Sequence, residues 1–407
     1  MDKQKQYANL LIKAGLNLQK GQALVIHCPV DCADFARLCA DAAYDAGCKE
    51  VFLDWSDDYI RRQRYLRADE STFDKFPAWQ KLLYLDTASQ GAAQLSILAT
   101  DPELLKGVEP DRIKRANVVQ GTELKEYLDK VSASEFQWCV ASAPTASWAA
   151  KVFPDKNIDD AVGALQDAIY STVRIFDDGD PFELWEEHRR DVGRRKDTLT
   201  GYNFNSLHYK NSIGTDVTVG LPHNHFWEGG FETAKNSIDF CANMPTEEIF
   251  TSPLKTGVNG VIVSSKPLAH NGNIIDNFKL TLENGKIIKA EAERGQDTLE
   301  NALSLDEGAS YLGEVALVAH DSPISSQNIL FYNTLFDENA SCHFAFGNAY
   351  PCVKGGRDMT AEQRIEAGLN DSITHVDFMI GTHDLSIVGT THNGQEIPVF
   401  VDGNFAF

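Results

Sequence analysis

The stretch ALVIHCPVDCADFARLCADAAYDAGCKEVFL, residues 23–53, decides the fold class. It opens with the apolar run Ala23-Leu24-Val25-Ile26-His27, closed by Pro29, which is the pattern of a short buried strand. Phe35, Leu38, Cys39, Ala42 and Ala46 then recur at i, i+3, i+4, i+7 and i+11, the stripe of an amphipathic helix. Gly47 stands where a helix C-cap belongs, and Val51-Phe52-Leu53 resumes an extended run. Strand, helix and strand within about thirty residues make a βαβ unit.

Working outward, Tyr7, Leu10, Leu11 and Ala14 form a helical stripe that Gly21 breaks. Residues 95–99 and 136–141 read as further strands, alternating with a helical segment marked by Val162, Leu165, Ile169 and Val173. The alternation predicts an N-terminal α/β domain with an open, mainly parallel sheet. Neither a G-x-G-x-x-G nor a P-loop pattern occurs there, so no dinucleotide or phosphate loop is indicated. His27 reads as a strand-end or core histidine in preference to a ligand.

The polar stretch HRRDVGRRKDTLT, residues 188–200, changes the texture. Leu184, Trp185 and Val192 fall on one side of it, so it suits an interdomain helix as readily as a linker. The expected domains are 1–190 and 191–407, since 407 residues exceed what one core of about 250 to 300 sustains. Beyond the boundary, Leu207 and Tyr209, Val217 and Val219, and Phe278, Leu280 and Leu282 alternate as strands do. Asn284-Gly285 is a hairpin turn signal, and Asn259-Gly260, Asn271-Gly272 and Asn393-Gly394 predict further antiparallel connections. Helices are expected near 296–303 and 360–367. The second half is therefore a β-rich α+β domain.

A formal net charge of -22 repels phosphate backbones, which argues against nucleic acid as a partner. The eight cysteines include no C-x-x-C pair and read as reduced, buried thiols. No stretch approaches the roughly 18 apolar residues of a membrane span, and the N-terminus lacks a signal-peptide core, so a cytoplasmic protein is expected.

Nine of the eleven histidines fall at or after His208, so the chemistry is expected in the second domain. Four segments there offer metal-type ligands: Glu247-Glu248, Glu314, Glu338 with His343, and His375 with Asp377. Glu314 adjoins the apolar run Val315-Ala316-Leu317-Val318, where burial without a counter-charge is costly. Two readings stay open for it, a metal ligand or a solvated strand end. His375 and Asp377 are two apart, so a strand presents both on one face. Glu338 and His343, five apart, suit a loop or helix entry. Carboxylates outnumber imidazoles and no thiolates cluster, a mixture that fits two divalent ions (zinc, cobalt or manganese) in preference to a structural zinc.

Together NMPTEEIFTSP, GEVALV, DENASCHFAFGNAYP and HVDFMIG resemble the thermophilic-type metallo-aminopeptidases, the family of aminopeptidase T and aminopeptidase S. The resemblance implies Glu248 and Glu314 as metal carboxylates, with Glu314 bridging, and His343, His375 and Asp377 as the remaining ligands. It places Glu338 as a further ligand or the general base, and Tyr350 in catalysis. It also implies a homodimer and a metal-dependent aminopeptidase that hydrolyses the N-terminal bond of peptides with a free N-terminus, through water activated by two metals. The alternatives are another dinuclear metallohydrolase acting on a different amide, or a non-catalytic metal or small-molecule binding protein. Within GLPHNHFWEGG, residues 220–230, His223 and His225 suit a substrate-touching loop, and a turn packing Trp227 into the core suits the same residues.

Overall fold

The computed structural model describes residues 2–271 and 273–407. The chain divides into two units. One contains the residues up to Arg190 together with Gly230–Thr246 and Ile329–Phe331; the other contains Asp191–Gly229, Glu247–Asn328 and Tyr332–Phe407.

In the first unit, strands β1 (Ala23–Pro29), β2 (Glu50–Ser56), β3 (Ala93–Ile97) and β4 (Trp138–Ala141) form one sheet in the order β2-β1-β3-β4, parallel throughout. The predicted helix runs from Ala33 to Asp45 and buries Phe35, Ala36, Cys39, Ala42 and Ala43. Gly47 follows it at φ +89°, a left-handed conformation that costs glycine little. The later stretch Gly230–Thr246 belongs to this unit because its main chain pairs with β4: Val140 N–H donates to Ala242 O at 2.7 Å and Met244 N–H to Val140 O at 2.9 Å. Trp148 Nε1–H likewise donates to Phe331 O at 2.5 Å.

The polar stretch around residue 190 lies within one long helix, Pro181–Tyr202. Among the described residues the second unit carries two antiparallel sheets, one of nine strands and one of four. Asn284-Gly285 turns between Asn273–Glu283 and Lys286–Arg294 with φ +49° and +82°, as a two-residue hairpin requires. Asn393-Gly394 lies in the longer turn that joins Ser386–Thr391 to Glu396–Val401, where only Gly394, at φ +83°, is left-handed. Asn259-Gly260 makes no turn and lies inside strand Val258–Val263. Gly260, at φ +131°, lets Asp216 O and Val217 approach where a Cβ would collide, so the glycine serves strand packing. Gly272, of the pair Asn271-Gly272, lies outside the described residues. The expected helices appear at Gln296–Leu303 and Ala361–Glu366.

All eight cysteines are buried and free. Among the described residues no helix is long and apolar enough to cross a membrane.

Candidate metal centre

The four-stranded sheet of the second unit orders its strands His375–Met379, His343–Gly347, Leu312–Leu317 and Ile249–Thr251, every pair antiparallel. Its sequences alternate, and the alternation builds a two-sided slab. Val315, Leu317, Phe344, Phe346, Val376 and Phe378 point into one hydrophobic core. The opposite face carries Glu314, His343, His375 and Asp377, because side chains two apart share a face. Register completes the row: Ala345 pairs with Glu314 on one side and Asp377 on the other, and Gly347 pairs with His375. The residues between the ligand candidates are thus Ala316, Ala345 and Gly347, small enough to leave room above the sheet.

Glu248 precedes the edge strand. Glu338 arrives from the short turn Glu338–Ala340 and is 8% exposed. Two groups have ligand atoms all within 4.8 Å of one another: Glu248, Glu314 and His343, and Glu314, His375 and Asp377. Glu314 belongs to both. Glu338 is in neither group, though its carboxyl feels the charges of Asp377 and Glu248.

Both histidines are fixed by the main chain. His343 Nδ1 lies 3.0 Å from Glu338 O and 3.1 Å from Ser341 O, and His375 Nδ1 lies 2.7 Å from Asn348 O. Carbonyls only accept, so Nδ1 carries the proton and Nε2 is turned to the carboxylates. His343 Nε2 sits 3.2 Å from Glu248 Oε2, and His375 Nε2 sits 2.9 Å from Glu314 Oε2 and 3.2 Å from Asp377 Oδ1. The last contact is not aligned as a hydrogen bond, which leaves buried Asp377 Oδ1 without a partner. Oriented Nε2 atoms, an orphaned carboxylate oxygen and a hard–borderline donor set fit a divalent metal.

The electrostatics agree. Burial lifts Glu314 to about 7, and Asp377 and Glu248 add to the rise while His375 opposes it. Burial, then Asp377 and Glu248, hold Glu338 well above the usual carboxylate range. Burial alone would lower His343, but contact with Glu248 outweighs it and raises the imidazole to about 10. Burial would raise Asp377, yet His375 beside it holds it below its ordinary value. Four acids and two imidazoles in one buried place hold protons where cations would relieve them.

Tyr350 follows the central strand, with its ring 5.0 Å from those of His375 and Phe250. Burial and then the anionic cluster push its phenol well above 10, so it stays a donor. Gly347, at φ +108°, has Thr374 O where a Cβ would stand. The next residue, Asn348, supplies the carbonyl that clamps His375.

Two neighbours escaped the sequence reading. Phe250 lies two residues from Glu248 and pairs with Ala316, which puts it on the ligand face; the two-residue spacing was the available signal. Asn339 is fully buried, accepts Glu247 N–H at 2.7 Å and donates to Leu335 O at 3.0 Å, tying the 247–248 segment to the Glu338 turn. Cys342 faces the core, where its thiol meets Val318 N and O at 3.3 Å and burial pushes it up to about 12. His223 and His225 belong to neither ligand group. His225 donates from Nδ1 to Pro222 O at 2.8 Å, His223 stacks edge-on to His392 at 4.7 Å, and Trp227 is buried in the core.

A parallel α/β unit and an antiparallel unit bearing carboxylate- and imidazole-rich ligand groups together define a metal-dependent hydrolase. The thermophilic metalloprotease (M29) family matches residues 1–405, and the chain belongs to that family. It is 44% identical over 402 residues to Aminopeptidase AmpS of Bacillus subtilis, covering 98% of each chain. Aminopeptidase T of Thermus aquaticus is 36% identical over 398 residues, covering 98% of this chain and 97% of that protein. The structure of wild-type AmpT from Thermus thermophilus superposes with a TM-score of 0.92 at 35% identity, covering 100% of this chain and 99% of the other.

Proposed function

We propose that the chain removes the N-terminal residue of peptides with a free α-amine, using two divalent ions. The observation that carries this reading is the pair of ligand groups that share Glu314. Glu248, Glu314 and His343 would hold one ion and Glu314, His375 and Asp377 the other, with zinc, cobalt and manganese all suited to the donors. When bound, such ions lower the pKa of a water toward roughly 7 and polarise the scissile carbonyl.

The protein's own groups do the rest. Glu338 acts as the general base: its carboxyl, crowded by Asp377 and Glu248, becomes an acceptor once positive charge offsets those neighbours. Tyr350, protonated throughout the working range, donates to the oxygen on which charge develops. The carboxylate-rich face suits the α-ammonium that distinguishes an exopeptidase substrate. The protein works in the cytoplasm as a homodimer.

Metal analysis with chelation and add-back, run on one peptide with its N-terminus free and acetylated, tests the reading. Activity that depends on added ions and on the free amine is expected. A metal-free active protein, or equal cleavage of both peptides, would overturn it.

A further inference from the structure

The geometry points to a second small-molecule site in the first unit, a cavity of about 160 Å³ that takes a small apolar cation, a primary ammonium on one ring or a branched alkyl group. It opens beyond the carboxyl ends of β1 and β4: Asp31 and Asp34 follow the former, and Ser142 and Ala143 follow the latter. Crevices at the carboxyl ends of parallel strands are where α/β sheets place ligands.

The walls are aromatic. Tyr7 and Phe35 stack at 5.1 Å with 24° between planes, and Tyr170 meets Tyr7 edge-on at 6.1 Å. The volume is close to that of cavities, about 150 Å³, known to hold one benzene-sized group. Ser142 lines the cavity, is 0% exposed, and its hydroxyl makes no hydrogen bond. A buried hydroxyl without a partner is uncommon, and this one belongs to a residue of the cavity wall.

Charge favours a cation over an anion. Among the described residues that line the cavity, none is lysine, arginine or histidine, so phosphate and carboxylate ligands find no counter-charge. Asp34 is occupied by Arg37 at 2.5 Å, whereas Asp31 is exposed at the rim. A carboxylate beside aromatic faces attracts an organic cation by both ion pairing and cation–π contact. All lining residues belong to the first unit and all metal-ligand candidates to the second, so the two sets share no residue.

Fluorine NMR of 4-fluorobenzylamine with the full-length, metal-loaded protein tests the site, with peptide hydrolysis followed in parallel. Saturable binding is expected, weakened about tenfold or more by Asp31→Asn and by Val162→Phe, which fills the cavity. Both variants should keep kcat/KM within about twofold of the parent, and 4-fluorobenzoate should not bind. Absence of saturable binding, binding that either variant keeps in full, or equal binding of the benzoate would overturn the assignment. Asp31→Asn is a near-isosteric surface change, so the test survives a failure of Val162→Phe to fold.

Discussion

Two four-stranded sheets in this chain hold histidines beside carboxylates, and they treat them differently. In the parallel sheet, His27 Nδ1 meets Asp54 at 2.9 Å, its Nε2 meets Gln94 at 2.9 Å, and its ring stacks on Tyr84 at 5.1 Å. Both nitrogens are spent on side chains. In the antiparallel sheet, His343 and His375 spend Nδ1 on main-chain carbonyls and turn Nε2 toward a surplus of carboxylates. A histidine network that closes on itself stabilises a fold; one whose Nε2 atoms face a surplus of carboxylates, with one carboxylate oxygen left orphaned, suits a cation.

The contrast breaks first at Glu314. Glu314→Gln should lower kcat/KM by roughly a thousandfold or more, consistent with several kcal/mol of metal-supplied stabilisation. Metal content, read by mass spectrometry, should fall with it; a fully loaded and active variant would separate Glu314 from the centre. Glu338→Gln should lower kcat by roughly 10² to 10⁴ while metal content stays at the parent level. Loss of metal in that variant would make Glu338 a ligand.

Chelation sharpens the comparison through pH. In the metal-free protein the folded state holds a proton on Glu314 up to about 7, above its ordinary 4.5, so stability falls as pH rises through that interval. His343, raised from 6.5 to about 10, adds stability that is complete below 6.5 and lost on rising toward 10, in the same direction. Bound ions replace those protons. A chelator should therefore depress the melting temperature more at pH 8 than at pH 5. Equal depression at both would remove the protons from the account.

The smallest effect on activity belongs to the closed network. His27→Ala strands Asp54 and Gln94 and should cost about 1 to 3 kcal/mol in denaturant unfolding, with kcat unchanged. A comparable loss of turnover would show that the parallel sheet reaches the chemistry.

Local pattern made residues 23–53 legible, since the period shifts from strand to helix and back within one window. It also put His375 and Asp377 on one face of a strand. Register was not legible: nothing within Leu312–Leu317 says that Glu314 will face Ala345 and, beyond it, Asp377. Asn259-Gly260 misled because a glycine needed for close approach looks the same as one needed for a turn. That Gly230–Thr246 pairs with β4 follows from long-range main-chain hydrogen bonds, which composition does not encode.

Gly347 has a further consequence. One backbone torsion, at φ +108°, sets both the carbonyl of Asn348 that aims His375 and the path that brings Tyr350 to the same ring. The duties proposed for His375 and Tyr350 therefore share a single inheritance. A lineage drifting at this position would not trade one against the other; it would keep both or surrender both in one step.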